Sequence, residues 1–88
     1  MVLGYLSIDS AIQENYGNQN NFVAIYLKNA NTGTGASADV SLYNDNVAGF
    51  SGNSFIDLGI SGTNYSNANW TIGGASDGYL YTGNGNLT

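Results

Sequence analysis

Two carboxylates flanking a sugar ring are enough to hydrolyse a glycosidic bond, so the chemistry of this chain begins with its six acidic residues. Asp39 lies between Ser37 and Ser41, and its place in an alternating run makes it a solvated residue of a polar strand face. Asp57 has Ile56 and Leu58 on either side and shares a face with Phe55. A carboxylate in such company needs paired donors or gives up its charge. For Asp57 the expected donors are backbone N–H groups at a turn or subunit contact, ahead of an acid tuned for catalysis. The usual partners of such an acid are missing. The chain has no histidine, cysteine, arginine or proline, Lys28 is its single cation and Glu14 its single glutamate. No catalytic residue and no cofactor is expected.

Other binding chemistries meet the same shortage. Asn44-Asp45-Asn46 clusters side-chain oxygens, and Asp77 precedes Gly78 in a loop. Calcium needs six to eight oxygens, and the spacing of a calcium loop with its terminal glutamate is absent. Turn formation accounts for these residues more simply, because Asn and Asp bond their own backbone. No metal site is expected. Gly73-Gly74 is followed by neither a lysine nor a helix, which rules out a phosphate loop. The net charge is −5 with a single cation, so the chain has little with which to displace counterions from nucleic acid or to hold an anionic membrane surface. Its longest apolar run, Phe22 to Leu27, is far short of the roughly 20 residues that span a bilayer. Asn64, Asn69 and Asn86 each begin an N-x-S/T triplet, as chance provides in a chain with 14 asparagines.

Aromatic rings are the better argument for binding. Tyr16, Tyr43, Tyr65, Trp70, Tyr79 and Tyr81 fall in or beside Asn/Gly-rich loops or on alternating strand positions. Rings with polar tips beside amides suit the apolar faces and hydroxyls of sugars. Trp70, Tyr79 and Tyr81 are the candidate glycan contacts, with Tyr79 and Tyr81 on one side of one strand. The competing reading places these rings in the core or at subunit contacts, where Tyr and Trp are also favoured.

The elements that would position these residues are strands. Ala36 to Tyr43 alternates cleanly, with Ala36, Ala38, Val40 and Leu42 on one face and Ser37, Asp39, Ser41 and Tyr43 on the other. Ser54 to Ile60 puts Ile56, Leu58 and Ile60 opposite Phe55, Asp57 and Gly59. Phe22 to Leu27 is apolar on both faces, as a central strand would be. Val2 to Ile8, Ala11 to Tyr16, Trp70 to Ile72 and Tyr79 to Thr82 are further strand candidates, and Asn84-Gly85 signals a hairpin into Asn86 to Thr88. No segment has sustained helical periodicity. At 88 residues this is one domain over residues 1–88. It is all-β, an antiparallel sandwich or jelly-roll-like fold of about seven to eight short strands. Ala38, Val40, Leu42, Ile56, Leu58 and Ile60, joined by Phe22 and Ile25, are the expected core.

Edge strands are normally guarded by lysine, proline or bulges, and here one lysine and no proline serve the whole chain. Such edges are best covered by neighbouring subunits, which predicts a homo-oligomer.

The run Asn29-Ala30-Asn31-Thr32-Gly33-Thr34-Gly35-Ala36-Ser37-Ala38-Asp39-Val40 resembles a β-rich module of tailed-phage tail-fibre and virion structural proteins. The other pieces follow in that module's order: Asn44-Asp45, Asp57-Leu58-Gly59-Ile60, Gly62-Thr63-Asn64-Tyr65-Ser66, Tyr79-Leu80-Tyr81 and Gly85-Asn86-Leu87. The likeness spans Asn29 to Leu87, with Ala30 in place of the usual threonine and Val40 in place of the usual aromatic residue. It implies a segment of a longer fibre polypeptide in a virion, a trimer by preference, with a host-surface glycan as the alternative partner. It implies no catalytic residue. An extracellular filament subunit is a third reading.

Overall fold

The structure, a computed structural model, describes residues 11–46, 49–50, 52, 54–70 and 73–88. The chain is strand-rich, and its described residues contain no helix. Three strands form one antiparallel sheet in the order β1-β2-β3: β1 is Ser37–Tyr43, β2 is Phe55–Ser61 and β3 is Gly78–Gly83. These are the three segments whose alternation is clearest in the sequence, with boundaries moved by one residue. The register sets Tyr43 opposite Phe55, Ser41 opposite Asp57 and Asp39 opposite Gly59. On the other side of β2, Asp57 faces Tyr81 and Gly59 faces Tyr79.

This register separates two chemically distinct faces, because successive side chains point to opposite sides. One carries Val40, Leu42, Ile56, Leu58, Ile60 and Leu80, and the other carries the acids, serines and aromatic rings. The expected core lies on the aliphatic face, and that expectation is overturned within a single chain. Val40, Leu42, Leu58, Ile60 and Leu80 are 50–66% exposed, and among the described residues no hydrophobic side chain is buried. The buried positions are Ser54, Asp57 and Ser61. The physical reason is that, among the described residues, no second layer packs on it: Trp70 and Phe50 lie over the aromatic face, and Ile25 and Leu27 only border the aliphatic one.

Residues 11–36 carry no strand, which corrects the expected strands at Ala11 to Tyr16 and Phe22 to Leu27. Phe22 and Ile25 are 67% and 77% exposed and belong to no core. No strand follows Gly83 either. Asn84 adopts a left-handed conformation (φ 55°), and Thr82 Oγ1 donates to the Gly85 carbonyl at 2.9 Å, so the turn forms without a returning strand. Val2 to Ile8 and residues 71–72 lie outside the described residues.

Loops gather at the end of the sheet where β1 begins and β2 ends. Gly62 N–H donates to the Ala36 carbonyl, Ser66 N–H to Thr34 and Ser61 N–H to Asp77, each at 2.9 Å. Asn64 Nδ2 donates to the Thr32 carbonyl at 3.0 Å and Asn29 Nδ2 to the Ser37 carbonyl at 2.9 Å. Together these bonds replace a hydrophobic anchor and hold the turns on the sheet.

Candidate functional site

The densest side-chain cluster sits on the covered face, at the centre of the sheet. Asp39 accepts hydrogen bonds from Ser37 Oγ and, at 2.7 Å, from the Tyr79 hydroxyl, which reaches it across β2. Asp57 accepts from Ser41 Oγ at 2.7 Å. The two carboxyls are close enough that each shifts the other's titration. Both sequence expectations are corrected here. Asp39 is a half-buried group bonded to Ser37 and Tyr79 rather than a solvated one, and Asp57 is 6% exposed with Ser41 as its side-chain partner rather than backbone donors at a turn.

Gly59 makes this meeting sterically permissible. It lies in register between Asp39 and Tyr79. A β-carbon there would overlap Asp39 Oδ2 and would stand 2.7 Å from the Tyr79 ring and hydroxyl. Glycine weakens a strand interior, and its presence there marks a close approach.

Two neighbouring carboxyls cannot both ionise cheaply. Burial pushes both upward. At Asp57 the neighbouring Asp39 adds to it, and the carboxyl titrates above its ordinary value. At Asp39 the interactions with Asp57, Ser37 and Tyr79 outweigh burial, and its carboxyl titrates below. Burial, with the hydrogen bond to Asp39, pushes the Tyr79 hydroxyl up to about 12. Burial and the charges of Asp57 and Asp39 also raise Tyr81.

Aromatic rings continue this face to both sides. Tyr43 meets Phe50 and Phe55 at centroid distances of 6.0 and 5.7 Å, and Phe55 meets Tyr81 edge-on at 5.6 Å. Trp70 lies against Tyr81 at 4.8 Å and Tyr79 at 6.1 Å, and the two tyrosines are 5.9 Å apart. All these spacings suit tilted or edge-to-face aromatic contact. The three candidate glycan residues thus come together as a triangle. Each is half-buried, and the Tyr79 hydroxyl is already committed to Asp39. Alternation along β3 revealed the Tyr79–Tyr81 pair in the sequence. The part of Gly59, and the convergence of Asp39, Asp57 and Tyr79, depend on a cross-strand register that no local pattern signals.

The remaining candidates act as turn residues. Asn44 Oδ1 accepts from Asn46 N–H at 2.9 Å, and Asp77 Oδ2 accepts from Gly74 N–H at 2.7 Å. Among the described residues, no three acidic, histidine or cysteine side chains are grouped to hold a metal ion. An open groove of about 340 Å³ at the opposite end of the sheet is lined by Tyr43, Asn44, Phe55, Asn84 and Asn86, and by none of Trp70, Tyr79 and Tyr81. No family model, curated protein or solved structure matches this chain.

Proposed function

We propose that this chain is a non-enzymatic structural module of a phage tail fibre or related virion appendage, which assembles with copies of itself through its β-sheet. The observation that carries the assembly is the bare aliphatic face: Val40, Leu42, Leu58, Ile60 and Leu80 are half or more exposed on a sheet that buries no hydrophobic side chain among its described residues. Contiguous apolar surface of this kind marks an interaction site. On this reading the sandwich or jelly-roll-like architecture of about seven to eight strands is completed between subunits, which supply the second layer. The virion setting comes from the sequence resemblance between Asn29 and Leu87.

The shortage of catalytic side chains supports the non-enzymatic part: the chain has no histidine, cysteine or arginine and a single lysine. Sedimentation velocity of the 88-residue chain tests the assembly: a discrete trimer is expected. Open-ended polymer would replace the fibre with a filament subunit, and a monomer at every concentration would remove the proposal.

A host-surface glycan is the second reading, favoured by the convergence of Trp70, Tyr79 and Tyr81. Glycan-array binding that is lost in Trp70→Ala, with the oligomer unchanged, would establish it.

A further inference from the structure

We infer that the segment Phe22–Leu27 of one copy docks on the aliphatic sheet face of the next, so that each chain supplies both an arm and a platform. The inference rests on the self-assembly proposed above and names the surface that performs it. The arm consists of strand-forming residues in no strand: Phe22, Val23, Ile25, Tyr26 and Leu27 are 58–82% exposed. Residues of this kind fit a pleated, half-buried surface, and among the described residues they pair with no strand.

The arm already borders the platform. Ile25 and Leu27 line an open groove together with Ala38, Val40, Leu58 and Ile60, so a second arm laid there would continue an apolar surface that the first arm has begun. Between them the two surfaces carry no charged side chain, and Lys28 stands just beyond the arm. Among the described residues, no backbone group outside the sheet bonds the main chain of β1 or β3 along its outer edge; Asn29 Nδ2 occupies the Ser37 carbonyl at the start of β1, and an incoming arm would pair beyond it.

At about 100 Å² of side chain apiece, one arm-on-platform contact hides on the order of 300 Å² of apolar surface per partner. A standard interface buries about 800 Å² per partner, a little over half of it apolar, so this contact supplies roughly two-thirds of that apolar share and each chain makes two such contacts. An arm-on-platform contact joins two different patches, so it propagates from copy to copy and forms a ring, such as a trimer, when the rotation between copies closes.

Because the chain has no cysteine, disulfide trapping is clean. Tyr26→Cys and Leu58→Cys are made in separate full-length chains, one carrying a mass tag, and mixed under mild oxidation. The mixed disulfide between them is expected, while Leu58→Cys with Ser41→Cys, on the opposite face, should give none. Ile25→Asp, in the arm and outside the sheet, is expected to weaken association by about a hundredfold or more while leaving the β signal in circular dichroism intact. An oligomer in which Leu58→Cys links only to itself, or in which Ile25→Asp changes nothing, overturns the arm and leaves the structural module standing. A chain that is monomeric throughout overturns both.

Discussion

Gly59→Ala is the sharpest perturbation of the described fold, because its cost follows from three contacts. The added methyl overlaps Asp39 Oδ2 and stands 2.7 Å from both Cε1 and the hydroxyl of Tyr79, so these side chains must separate. Losing a hydrogen bond to a charged group costs about 1.5–3 kcal/mol, and forcing a methyl into a filled site costs about 1–3 kcal/mol. Alanine returns about 0.5–1 kcal/mol of backbone preference in a strand. The net expectation is a loss of about 2–4 kcal/mol, a large share of a small domain's stability. Urea unfolding at one fixed protein concentration, followed by the fluorescence of Trp70, measures it. Gly35→Ala serves as the control, since nothing lies within 4 Å of its β-carbon position, and it should shift the midpoint little. In a Tyr79→Ala background the Gly59→Ala penalty should shrink, because one of the clashing groups has gone. If Gly59→Ala matches the control, Asp39 and Tyr79 do not meet across β2 and the description of this face is wrong.

Three further outcomes are expected. Asp57 titrates above the ordinary 3.8, so its contribution to stability is complete below that value and is lost as pH rises through the raised one. Asp39 titrates below 3.8, so its contribution is present above that value and disappears as pH falls through the lowered one. Urea midpoints between about pH 3 and pH 8 should therefore peak on the acid side, and Asp57→Asn should flatten the decline towards neutrality. Tyr79, at about 12, stabilises fully below its ordinary 10.0 and loses that contribution as pH rises through about 12. Phenolate absorbance should show Tyr79 titrating at about 12, with Tyr81 also late, and Asp39→Asn should bring the Tyr79 step down. Ser76 holds φ 63°, where a side chain costs about 1–2 kcal/mol, so Ser76→Gly should raise the urea midpoint; a lower midpoint would mean that the Ser76 side chain is structurally needed.

The sheet was largely legible in the sequence, and the identity of its covered face was not. Alternation at Ala38-Asp39-Val40 and Ile56-Asp57-Leu58 sorts side chains onto two sides, which fixes strand character and shared faces but neither the cross-strand register nor which side the rest of the chain will cover. Hydrophobicity points to the aliphatic side, and a chain with a second layer of its own would obey. Here Trp70 and Phe50 lie over the tyrosines, and the aliphatic side stays exposed. Phe22 to Leu27 falls in the same gap: strand propensity describes a fit to a sheet, and it does not say whether one chain supplies that sheet. The Asp39–Tyr79 bond was invisible for another reason. It joins residues 40 positions apart through a glycine whose meaning appears only once the strands are in register.

The concentration dependence of folding tests the central claim most directly. If copies of the chain supply the missing layer, burial of the aliphatic face is part of the folding equilibrium, and stability must follow mass action. Urea midpoints read across about a hundredfold range of protein concentration should climb with concentration, and Leu58→Asp should abolish the climb. A midpoint that stays constant over that range would mean that the sheet stands alone with its apolar face in water, and the account would be contradicted.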